Sequence, residues 1–373
     1  DYLAVSFPKT GADMYMAREL MRAAGGKSTL IAKMERAEAI VAMSELLDSC
    51  DGIMVARGDL AVEVGDAAVP ALQKKMIRAA RERNKLTITA TQMMESMITS
   101  PVPTRAEVSD VANAVLDGTD AVMLSAETAA GKFPVETVES MSRICLEAEK
   151  SADLTLDREF LNRVFTRVDQ SIAMAALFTA YHLKVKAIAT LTQSGATALW
   201  TSRLNCGVPI YALTPEISTR YRLSLFRGVY PMLIKYIGHD RDLLLQEAED
   251  QLVASGVVQD GDLIVIAGRP SMGKTTLAVN IAENAAIAKG VPSAIFSMEM
   301  SAEQLTLRLI SSLGRVNQTH LRTGNFSEED WSRIQGAMAQ LSSAPLYVDE
   351  TPALTPTEVR ARAPPEARAR PGP

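Results

Sequence analysis

Short apolar segments recur along the first part of the chain, and segments with helical periodicity separate them. Consecutive apolar segments start roughly 20 to 35 residues apart, the length of a strand followed by a helix. This pattern predicts an α/β fold with parallel strands. The predicted strands are Leu3–Phe7, Leu30–Ala32, Ile53–Ala56, Thr87–Ala90 and Ala121–Leu124. The predicted helices are Asp13–Ala24, Ala37–Leu47, Pro70–Glu82, Thr104–Leu116 and Val135–Lys150.

Polar side chains lie at or just after the ends of four of these strands. They form the pairs Lys33 and Glu35, Arg57 and Asp59, Thr91 and Gln92, and Ser125 and Glu127. In parallel α/β folds the C-terminal ends of the strands meet on one face, where sites are built. At one strand, helix capping or an ion pair explains such residues equally well. The recurrence at four strands favours a shared site.

Composition narrows the class of protein. The chain has 373 residues and a net charge of −5, and 47% of its residues are hydrophobic. These values are typical of soluble proteins with about two or three domains, and they exclude a strongly basic surface for nucleic acid. No apolar run is long enough to span a membrane. Cys50, Cys145 and Cys206 lack metal-binding spacing, which predicts reduced thiols and a cytoplasmic location.

Several longer stretches carry a resemblance to the pyruvate kinase family. They are Lys33-Met34-Glu35, Met54–Leu60, Ile88–Met97, Thr104–Glu107 and Asp117–Thr128. The resemblance implies a (β/α)8 TIM barrel, of which this chain holds the fourth to eighth strands. The first three strands and the lid domain are expected upstream. An exposed, open sheet edge is therefore expected at Leu3–Phe7, where other chains could pair.

The resemblance also implies a reaction. Members of the family transfer the phosphoryl group of phosphoenolpyruvate to ADP in glycolysis, which requires positive charge around a crowded anionic centre. Glu35 and Asp59 are implied to hold Mg²⁺ or Mn²⁺, and Lys33 to face the phosphoryl group. The backbone of Ala56, Arg57, Gly58 and Asp59 is implied to receive the substrate carboxylate at a helix N-terminus.

Three further residues are implied to act when the enolate is protonated. Thr91 matches a substrate-contacting hydroxyl near the carbon that gains the proton. Ser125 and Glu127 match polar residues that relay it. K⁺ is a further implied cofactor, with most of its ligands on the early strands. Ala61 stands where the family usually has glycine, so a positive φ at this position would be strained.

The segment from 149 to 260 has its own alternating pattern and resembles the C-terminal α/β domain of pyruvate kinase. Its predicted strands are Ala187–Leu191, Ile210–Leu213 and Val229–Ile234, and Leu263–Ala267 follows. Between a strand and a helix, Thr192, Ser194, Gly195 and Thr197 offer hydroxyl and N–H groups for a phosphate. The resemblance implies a sugar-phosphate or nucleotide effector there. A capped helix start without a ligand is the alternative.

A different motif follows. Gly268-Arg269-Pro270-Ser271-Met272-Gly273-Lys274-Thr275 fits the P-loop pattern, directly after a strand and before a predicted helix, Thr276–Ala288. Backbone N–H groups of Gly268, Ser271 and Gly273 are expected to surround the phosphates of ATP. Lys274 is expected to reach the outer phosphates and Thr275 to hold Mg²⁺.

The amino-acid sequence around this P-loop resembles that of the RecA-like motor of bacterial replicative DNA helicase of the DnaB type. The resemblance includes Phe296–Leu305, Arg322-Thr323-Gly324 and Leu354–Arg360. It implies that Glu299 activates the attacking water. Leu346–Glu350 resembles a Walker B strand. It is not assigned that role, because the family's metal-site aspartate lies on a later strand.

The predicted organisation is a partial barrel at 1–148, an α/β domain at 149–260, a partial RecA-like domain at 261–362 and a disordered tail at 363–373. The predicted function is a pyruvate kinase-like phosphotransferase, inactive as given because its barrel is incomplete. The alternatives are an ATP-binding helicase fragment and a non-functional chimeric join, since Gly261–Gly268 suits both families. Expected partners are phosphoenolpyruvate and ADP, with homo-oligomers in the full-length families and no nucleic acid for this fragment.

Overall fold

The structure, a computed structural model, describes residues 1–151, 168–203, 207–235, 250–259, 264–267, 282–297, 300–324 and 327–351, together with 247, 262, 279, 358 and 362. The chain divides into two compact units. Unit 1 comprises Asp1–Leu177 and Ile188–Leu233, and unit 2 comprises Phe178–Ala187 and Ile234–Pro373.

Unit 1 begins with a five-stranded sheet in which every strand is parallel to its neighbours. The strands follow one another in sequence order, from β1 at one edge to β5 at the other. They are β1 (Tyr2–Val5), β2 (Thr29–Met34), β3 (Gly52–Ala56), β4 (Leu86–Ala90) and β5 (Ala121–Met123). All five strands predicted from the apolar segments are thus confirmed, with ends that shift by one or two residues.

Helices connect these strands. They are α1 (Gly11–Ala23), α2 (Ala37–Val41), α3 (Met43–Ser49), α4 (Arg57–Val64), α5 (Val69–Glu82), α6 (Arg105–Leu116), α7 (Ala126–Ala129) and α8 (Pro134–Ser151). Leu30, Ala32 and Met34 of β2 share one buried cluster with helix residues such as Met14 and Met76. Alternate positions such as Ile31, Met54 and Ile88 form a second cluster. The sheet therefore buries both faces, as parallel sheets do.

Two boundaries differ from the prediction. β1 ends at Val5 rather than Phe7, because Phe7 adopts a left-handed backbone with φ 55° and turns the chain. The helix predicted at Ala37–Leu47 is two helices. They meet at Ala42, whose φ of −88° and ψ of 15° interrupt the helix so that both parts bury apolar side chains.

Unit 1 continues into a second parallel sheet. Helix α9 (Val168–Leu183) begins in unit 1 and ends in unit 2, and α10 (Ala196–Ser202) and α11 (Ile217–Leu223) belong to unit 1. Strand β6 (Ala187–Leu191) pairs with β7 (Ile210–Thr214), and β7 pairs with β8 (Val229–Leu233). The strands predicted for this segment are confirmed. Leu225 and Phe226, between α11 and β8, pack against the cluster that contains Ile31 and Met54.

A buried ion pair joins the two sheets of unit 1. The guanidinium of Arg203, after α10, donates to the carboxylate of Asp120, before β5, and the two side chains are 3% and 1% exposed. Asp120 also accepts hydrogen bonds from the backbone N–H of Thr87 at 2.9 Å and of Arg227 at 3.1 Å. Burial raises the pKa of nearby Tyr2 to about 12. This network lies at the N-terminal ends of β4 and β5.

Unit 2 contains a small α/β arrangement. Strand β9 spans Ile264–Ala267, and β10 (Ser293–Phe296) pairs in parallel with β11 (Leu346–Asp349). The helices are α12 (Ala302–Gly314), α13 (Gln318–Thr323) and α14 (Glu328–Ser343), and a π-helical turn covers Asn284–Ala288. Among the helices that the structure describes, none combines the length and the apolar character required to cross a membrane.

Candidate functional site

The C-terminal ends of β2, β3, β4 and β5 meet along one rim of the first sheet. The strand register pairs Met34 with Val55, Ala56 with Ala90, and Ala90 with Met123. The residues that come directly after these strands therefore lie along the same edge. These residues include Glu35, Arg57, Thr91 and, one position further along, Ser125.

Glu35 is the most deeply buried charged group at this rim, with 0% exposure. Its Oε2 accepts a hydrogen bond from the backbone N–H of Phe7 at 2.8 Å. Its Oε1 has no hydrogen bond of ordinary geometry, and the Nζ of Lys33 approaches it at 2.5 Å. Lys33 also donates to the Oγ of Ser6 at 3.3 Å. The turn after β1 thus contacts both members of the predicted Lys33–Glu35 pair.

The second predicted metal ligand has different surroundings. Asp59 lies in the first turn of α4 and is exposed, and it forms no hydrogen bond or ion pair with the residues that the structure describes. A buried carboxylate oxygen without a hydrogen bond and a second, unengaged carboxylate are hard ligands of the kind that Mg²⁺ prefers. The type of donor atom therefore fits the metal, while Oε1 of Glu35 is paired with the ammonium of Lys33 in this structure. Within the described ranges, no group of three His, Cys, Asp or Glu side chains forms a complete metal site.

Arg57 is buried, and its guanidinium forms hydrogen bonds with other residues of the protein. Its Nη1 donates to both carboxylate oxygens of Asp110 on α6, at 2.8 and 2.6 Å. Its Nη2 and Nε donate to the backbone carbonyl of Thr91, at 2.6 and 3.2 Å. The guanidinium therefore ties the start of α4 to α6 and to the loop after β4. A charge-assisted contact of this kind, in which one nitrogen donates to both carboxylate oxygens, is stronger than a hydrogen bond between neutral groups.

The loop held by Arg57 is strained. Thr91 and Gln92 have φ values of 67° and 53°, in the left-handed region that residues with a side chain rarely adopt. This backbone brings the Oγ1 of Thr91 to the N–H of Gly58, which donates to it at 2.9 Å. The hydroxyl itself donates to the carbonyl of Ala90 at 2.6 Å. Thr91 and the N-terminus of α4 are therefore in direct contact, and backbone outliers of this kind are frequent at functional sites.

Glu127 forms hydrogen bonds with the loops at the β5 end of the rim. It is 2% exposed, and its carboxylate accepts hydrogen bonds from the N–H of Ser125 at 2.6 Å and of Met94 at 3.3 Å. The carboxylate thus links the loops after β4 and β5. Gly131 must remain glycine, because a Cβ there would lie 2.2 Å from the carbonyl oxygen of Glu127. The structure brings the predicted residues Ser125 and Glu127 together and places them beside the Thr91 loop.

Glu107 supports the same loop from α6. It completes a capping box with Thr104, and it accepts from the N–H of Ser96 at 2.7 Å. Burial acts to raise the pKa of Glu107, but hydrogen bonds from Ser96 and Thr104 outweigh it and hold that pKa below its usual value.

The expected strain at Ala61 does not occur. Ala61 lies inside α4, and it is absent from the residues with positive φ. A helical backbone suits alanine as well as it suits glycine, so the family's glycine is not required here for its φ.

Several side chains and backbone N–H groups that shape this site were not predicted from the sequence. The most important are Asp110, Ser6 and the backbone N–H groups of Phe7 and Met94. A signal was available for Asp110, since it shares a helical stripe with Glu107 and Ala114. The roles of the two N–H groups depend on backbone turns, which the sequence pattern does not reveal.

Part of the predicted effector loop forms a hydrogen bond within the loop itself. The Oγ1 of Thr192 accepts from the N–H of Gly195 at 2.9 Å, and Gly195 has a φ of 82° at the start of α10. A Cβ at Gly195 would lie 2.9 Å from Leu223. Ser194 is exposed, whereas Thr197 is buried. The hydroxyl of Thr192 thus binds the N-cap residue, but no side chain caps the helix itself. The phosphate site and the capped helix start without a ligand both stay predictions.

The predicted nucleotide site lies outside the described residues. This applies to Gly268, Ser271, Gly273, Lys274 and Thr275 of the P-loop, and also to Glu299. The predicted Walker B-like stretch is β11, where Asp349 accepts hydrogen bonds from Thr351 and Arg362. The hydrogen bonds from Thr351, together with Arg362, lower the pKa of Asp349 to about 2.

Three family models match the chain. Residues 1–138 match "Pyruvate kinase, barrel domain", and residues 170–282 match "Pyruvate kinase, alpha/beta domain". Residues 250–369 match "DnaB-like helicase C terminal domain". The last two matches overlap at 250–282, a range that includes the stretch Gly261–Gly268, which was predicted to suit both families.

Individual relatives agree with the first two matches. The chain is 50% identical over 280 residues to pyruvate kinase of Buchnera aphidicola from Schizaphis graminum, covering 74% of this chain and 58% of the relative. It is 51% identical over 270 residues to pyruvate kinase II of Salmonella typhimurium, covering 71% and 56%.

A solved pyruvate kinase of Cryptosporidium parvum has a similar structure, with a TM-score of 0.68 and 36% identity over 71% of this chain and 56% of that chain. The chain thus spans little more than half the length of the relatives that it matches. Through the regions 1–138 and 170–282, the chain belongs to the pyruvate kinase family.

Proposed function

We propose that the rim of the first sheet is the phosphotransfer site of a pyruvate kinase, which converts phosphoenolpyruvate and ADP to pyruvate and ATP. The observation that carries the proposal is the ion pair between Lys33 and the buried Glu35, which the strand register places next to the end of β3 and the start of α4. The family membership supports the reaction class. Closure of the barrel is required for turnover, since five strands cannot enclose an eight-stranded core.

The roles proposed for the residues are those that the family resemblance implies, and their common position at the rim supports them. Glu35 and Asp59 would hold Mg²⁺ or Mn²⁺, which when bound neutralises phosphate charge. Lys33 would place its ammonium against the phosphoryl group and the developing enolate oxygen. The α4 N-terminus, formed by Ala56 and Arg57-Gly58-Asp59, would receive the substrate carboxylate.

Proton delivery is assigned to the neighbouring loops. Thr91 would present its hydroxyl beside the carbon that is protonated. Its oxygen accepts the N–H of Gly58, one of the groups assigned to the carboxylate, and this contact supports the assignment. Ser125 and Glu127 would relay the proton, and their link to Met94 supports this role by joining the two loops.

The remaining assignments rest on the family alone. They are a K⁺ cofactor, a sugar-phosphate or nucleotide effector at Thr192, Ser194, Gly195 and Thr197, a homo-oligomeric assembly, and a cytoplasmic location. The proposed domain limits are 1–148, 149–260 and 261–362, followed by the tail at 363–373.

The test is an assay of a completed enzyme. The N-terminal portion of the Salmonella relative, outside its matched 270 residues, is fused before Asp1. Pyruvate formation from phosphoenolpyruvate and ADP is followed with Mg²⁺ and K⁺ present. We expect Mg²⁺-dependent turnover. A folded fusion without turnover would refute the proposed function.

A second candidate function is supported by the match of residues 250–369 to the helicase domain. The region would bind ATP through Gly268–Thr275, with Glu299 beside the attacking water, but DNA unwinding is not proposed. The overlap of two family models at 250–282 equally supports a join between unrelated fragments. Sequencing of the source DNA with long reads across codons 255 to 275 distinguishes a continuous gene from a misassembly.

The nucleotide-binding prediction can be tested in the full chain. Lys274→Ala is expected to weaken binding of fluorescent ATP at least about tenfold, or about 1.4 kcal/mol, because the outer phosphates lose their cation. Lys289→Ala is the matched control, since Lys289 is exposed in the same segment. Equal affinity in the Lys274→Ala variant and the unaltered chain would count against this candidate.

A further inference from the structure

The turn after β1 contacts the Lys33–Glu35 pair at two consecutive residues. Phe7 has a φ of 55°, in the left-handed region that residues with a side chain rarely adopt. Its N–H donates to Oε2 of Glu35 at 2.8 Å. One residue earlier, the Oγ of Ser6 accepts a hydrogen bond from the Nζ of Lys33 at 3.3 Å. One strained turn therefore contacts both the carboxylate and the ammonium.

The two carboxylate oxygens of Glu35 have different partners. Oε2 accepts the N–H of Phe7, whereas Oε1 has no hydrogen bond of ordinary geometry and lies 2.5 Å from the Nζ of Lys33. Oε1 is therefore the oxygen with free capacity for a metal ion. An ammonium and a divalent cation at the same oxygen repel each other. When Oε1 binds the metal, the contact with Lys33 weakens and the ammonium requires another partner.

Ser6 is that other partner. Among the residues that the structure describes, Ser6 and Glu35 are the ones whose side-chain oxygens contact the ammonium of Lys33. The present distance of 3.3 Å is slightly longer than a typical hydrogen bond, so the ammonium lies closer to the carboxylate than to the hydroxyl. The Lys33 side chain is 26% exposed and flexible, and a charge-assisted bond to a hydroxyl restricts it.

We propose that Ser6 is a positioning residue, which keeps the ammonium of Lys33 at the rim when Oε1 of Glu35 binds the divalent cation. The hydroxyl accepts from Nζ and lets the ammonium give up Oε1 without leaving the site. The ammonium then remains beside the phosphoryl group. This inference rests on the proposed function, because it concerns the same metal and the same phosphoryl group.

The first measurement is kinetic and uses the completed enzyme. Ser6→Ala should lower kcat about tenfold, because a hydrogen bond to a charged group is lost. The KM for phosphoenolpyruvate should stay within about twofold, since the ammonium acts mainly in the transition state. Ser6 is exposed, so Ser6→Thr retains the hydroxyl without a clash and should restore kcat to within about twofold of the unaltered enzyme.

The matched control is Ser44→Ala. Ser44 is also exposed, and its hydroxyl accepts a hydrogen bond from the guanidinium of Arg83 at 2.8 Å. The variant therefore removes the same kind of contact, a serine hydroxyl with a cation, at a residue with no assigned role in the reaction. Its kcat should stay within about twofold of that of the unaltered enzyme.

The second measurement is the affinity for Mn²⁺, with free Mn²⁺ followed by electron paramagnetic resonance. Ser6→Ala should weaken Mn²⁺ binding by the completed enzyme at least about threefold, because Lys33 then keeps its contact with Oε1. In a Lys33→Met background, the same substitution should change the affinity less than about 1.5-fold, since no ammonium competes for the oxygen. A general distortion of the turn would weaken binding in both backgrounds.

The outcomes separate this inference from the proposed function. An unchanged kcat in Ser6→Ala would overturn the inference, as would a loss that Ser6→Thr does not restore. Equal effects on Mn²⁺ affinity in both backgrounds would overturn it too, and so would absence of Mn²⁺ binding by the unaltered completed enzyme. An active enzyme with either kinetic result would leave the proposed function standing. An inactive completed enzyme whose Mn²⁺ affinity shows the predicted dependence on Lys33 would refute the proposed function and support the role of Ser6.

Discussion

Lys33→Met in the completed enzyme is expected to reduce turnover by about 10² to 10³-fold, equivalent to about 2.7–4 kcal/mol of lost transition-state stabilisation. The reason is electrostatic. Lys33 Nζ lies 2.5 Å from Oε1 of the buried Glu35, and the proposed function assigns this ammonium to the transferred phosphoryl group. Methionine has a similar length without the charge, so packing is maintained while the ammonium is lost. Initial rates at saturating phosphoenolpyruvate and ADP measure the effect.

The control for this variant is Lys150→Met. Lys150 is exposed on α8 and pairs with Glu147 of the same helix, so its replacement should leave turnover within about twofold. If Lys33→Met retained more than about a tenth of the turnover, the role assigned to its ammonium would be wrong, even though the fold and family membership would stand.

Arg203→Met is expected to lower the free energy of unfolding of unit 1 by about 3–5 kcal/mol. The Arg203–Asp120 pair is almost completely buried, and removal of the guanidinium leaves the carboxylate of Asp120 without its charge partner. The N–H groups of Thr87 and Arg227 would still donate to it, but neither carries a charge. The guanidinium of Arg227 remains as a second cation that interacts with Asp120. The expected cost is therefore that of a buried carboxylate that has lost its hydrogen-bonded charge partner.

Urea unfolding followed by the fluorescence of Trp200 measures this change in a background with Trp331→Phe, because Trp200 lies in α10 beside Arg203. The matched control is Arg333→Met, which breaks an exposed pair with Glu329 and should cost less than about 0.5 kcal/mol. The double variant Asp120→Asn and Arg203→Met should recover part of the loss. A cost below about 1 kcal/mol for Arg203→Met would show that the pair contributes no more than a surface ion pair.

The order and direction of the strands could be predicted from the sequence because each apolar run is short and a helical pattern separates it from the next. Parallel strands then place Glu35, Arg57, Thr91 and Ser125 at one rim without further information. The roles implied for these residues came from the family resemblance and not from this geometry.

Other features of the site depend on backbone turns and tertiary contacts that have no periodic signal. The φ of 55° at Phe7 delivers its N–H to Glu35, and the φ of 67° at Thr91 delivers its hydroxyl to Gly58. Neither residue is the glycine that usually marks such a turn. The break at Ala42 likewise occurs without proline or glycine, so the sequence predicted one continuous helix where there are two.

The proposed function depends on Glu35 and Asp59, near neighbouring strand ends, holding one divalent cation at the rim. The most direct test is a crystal structure of the completed enzyme grown with Mn²⁺ and phosphoenolpyruvate, with anomalous scattering used to locate the metal. We expect one anomalous peak in contact with a carboxylate oxygen of each residue. Carboxylates of Glu35 and Asp59 that share no ion, with Mn²⁺ absent from this rim, would contradict it.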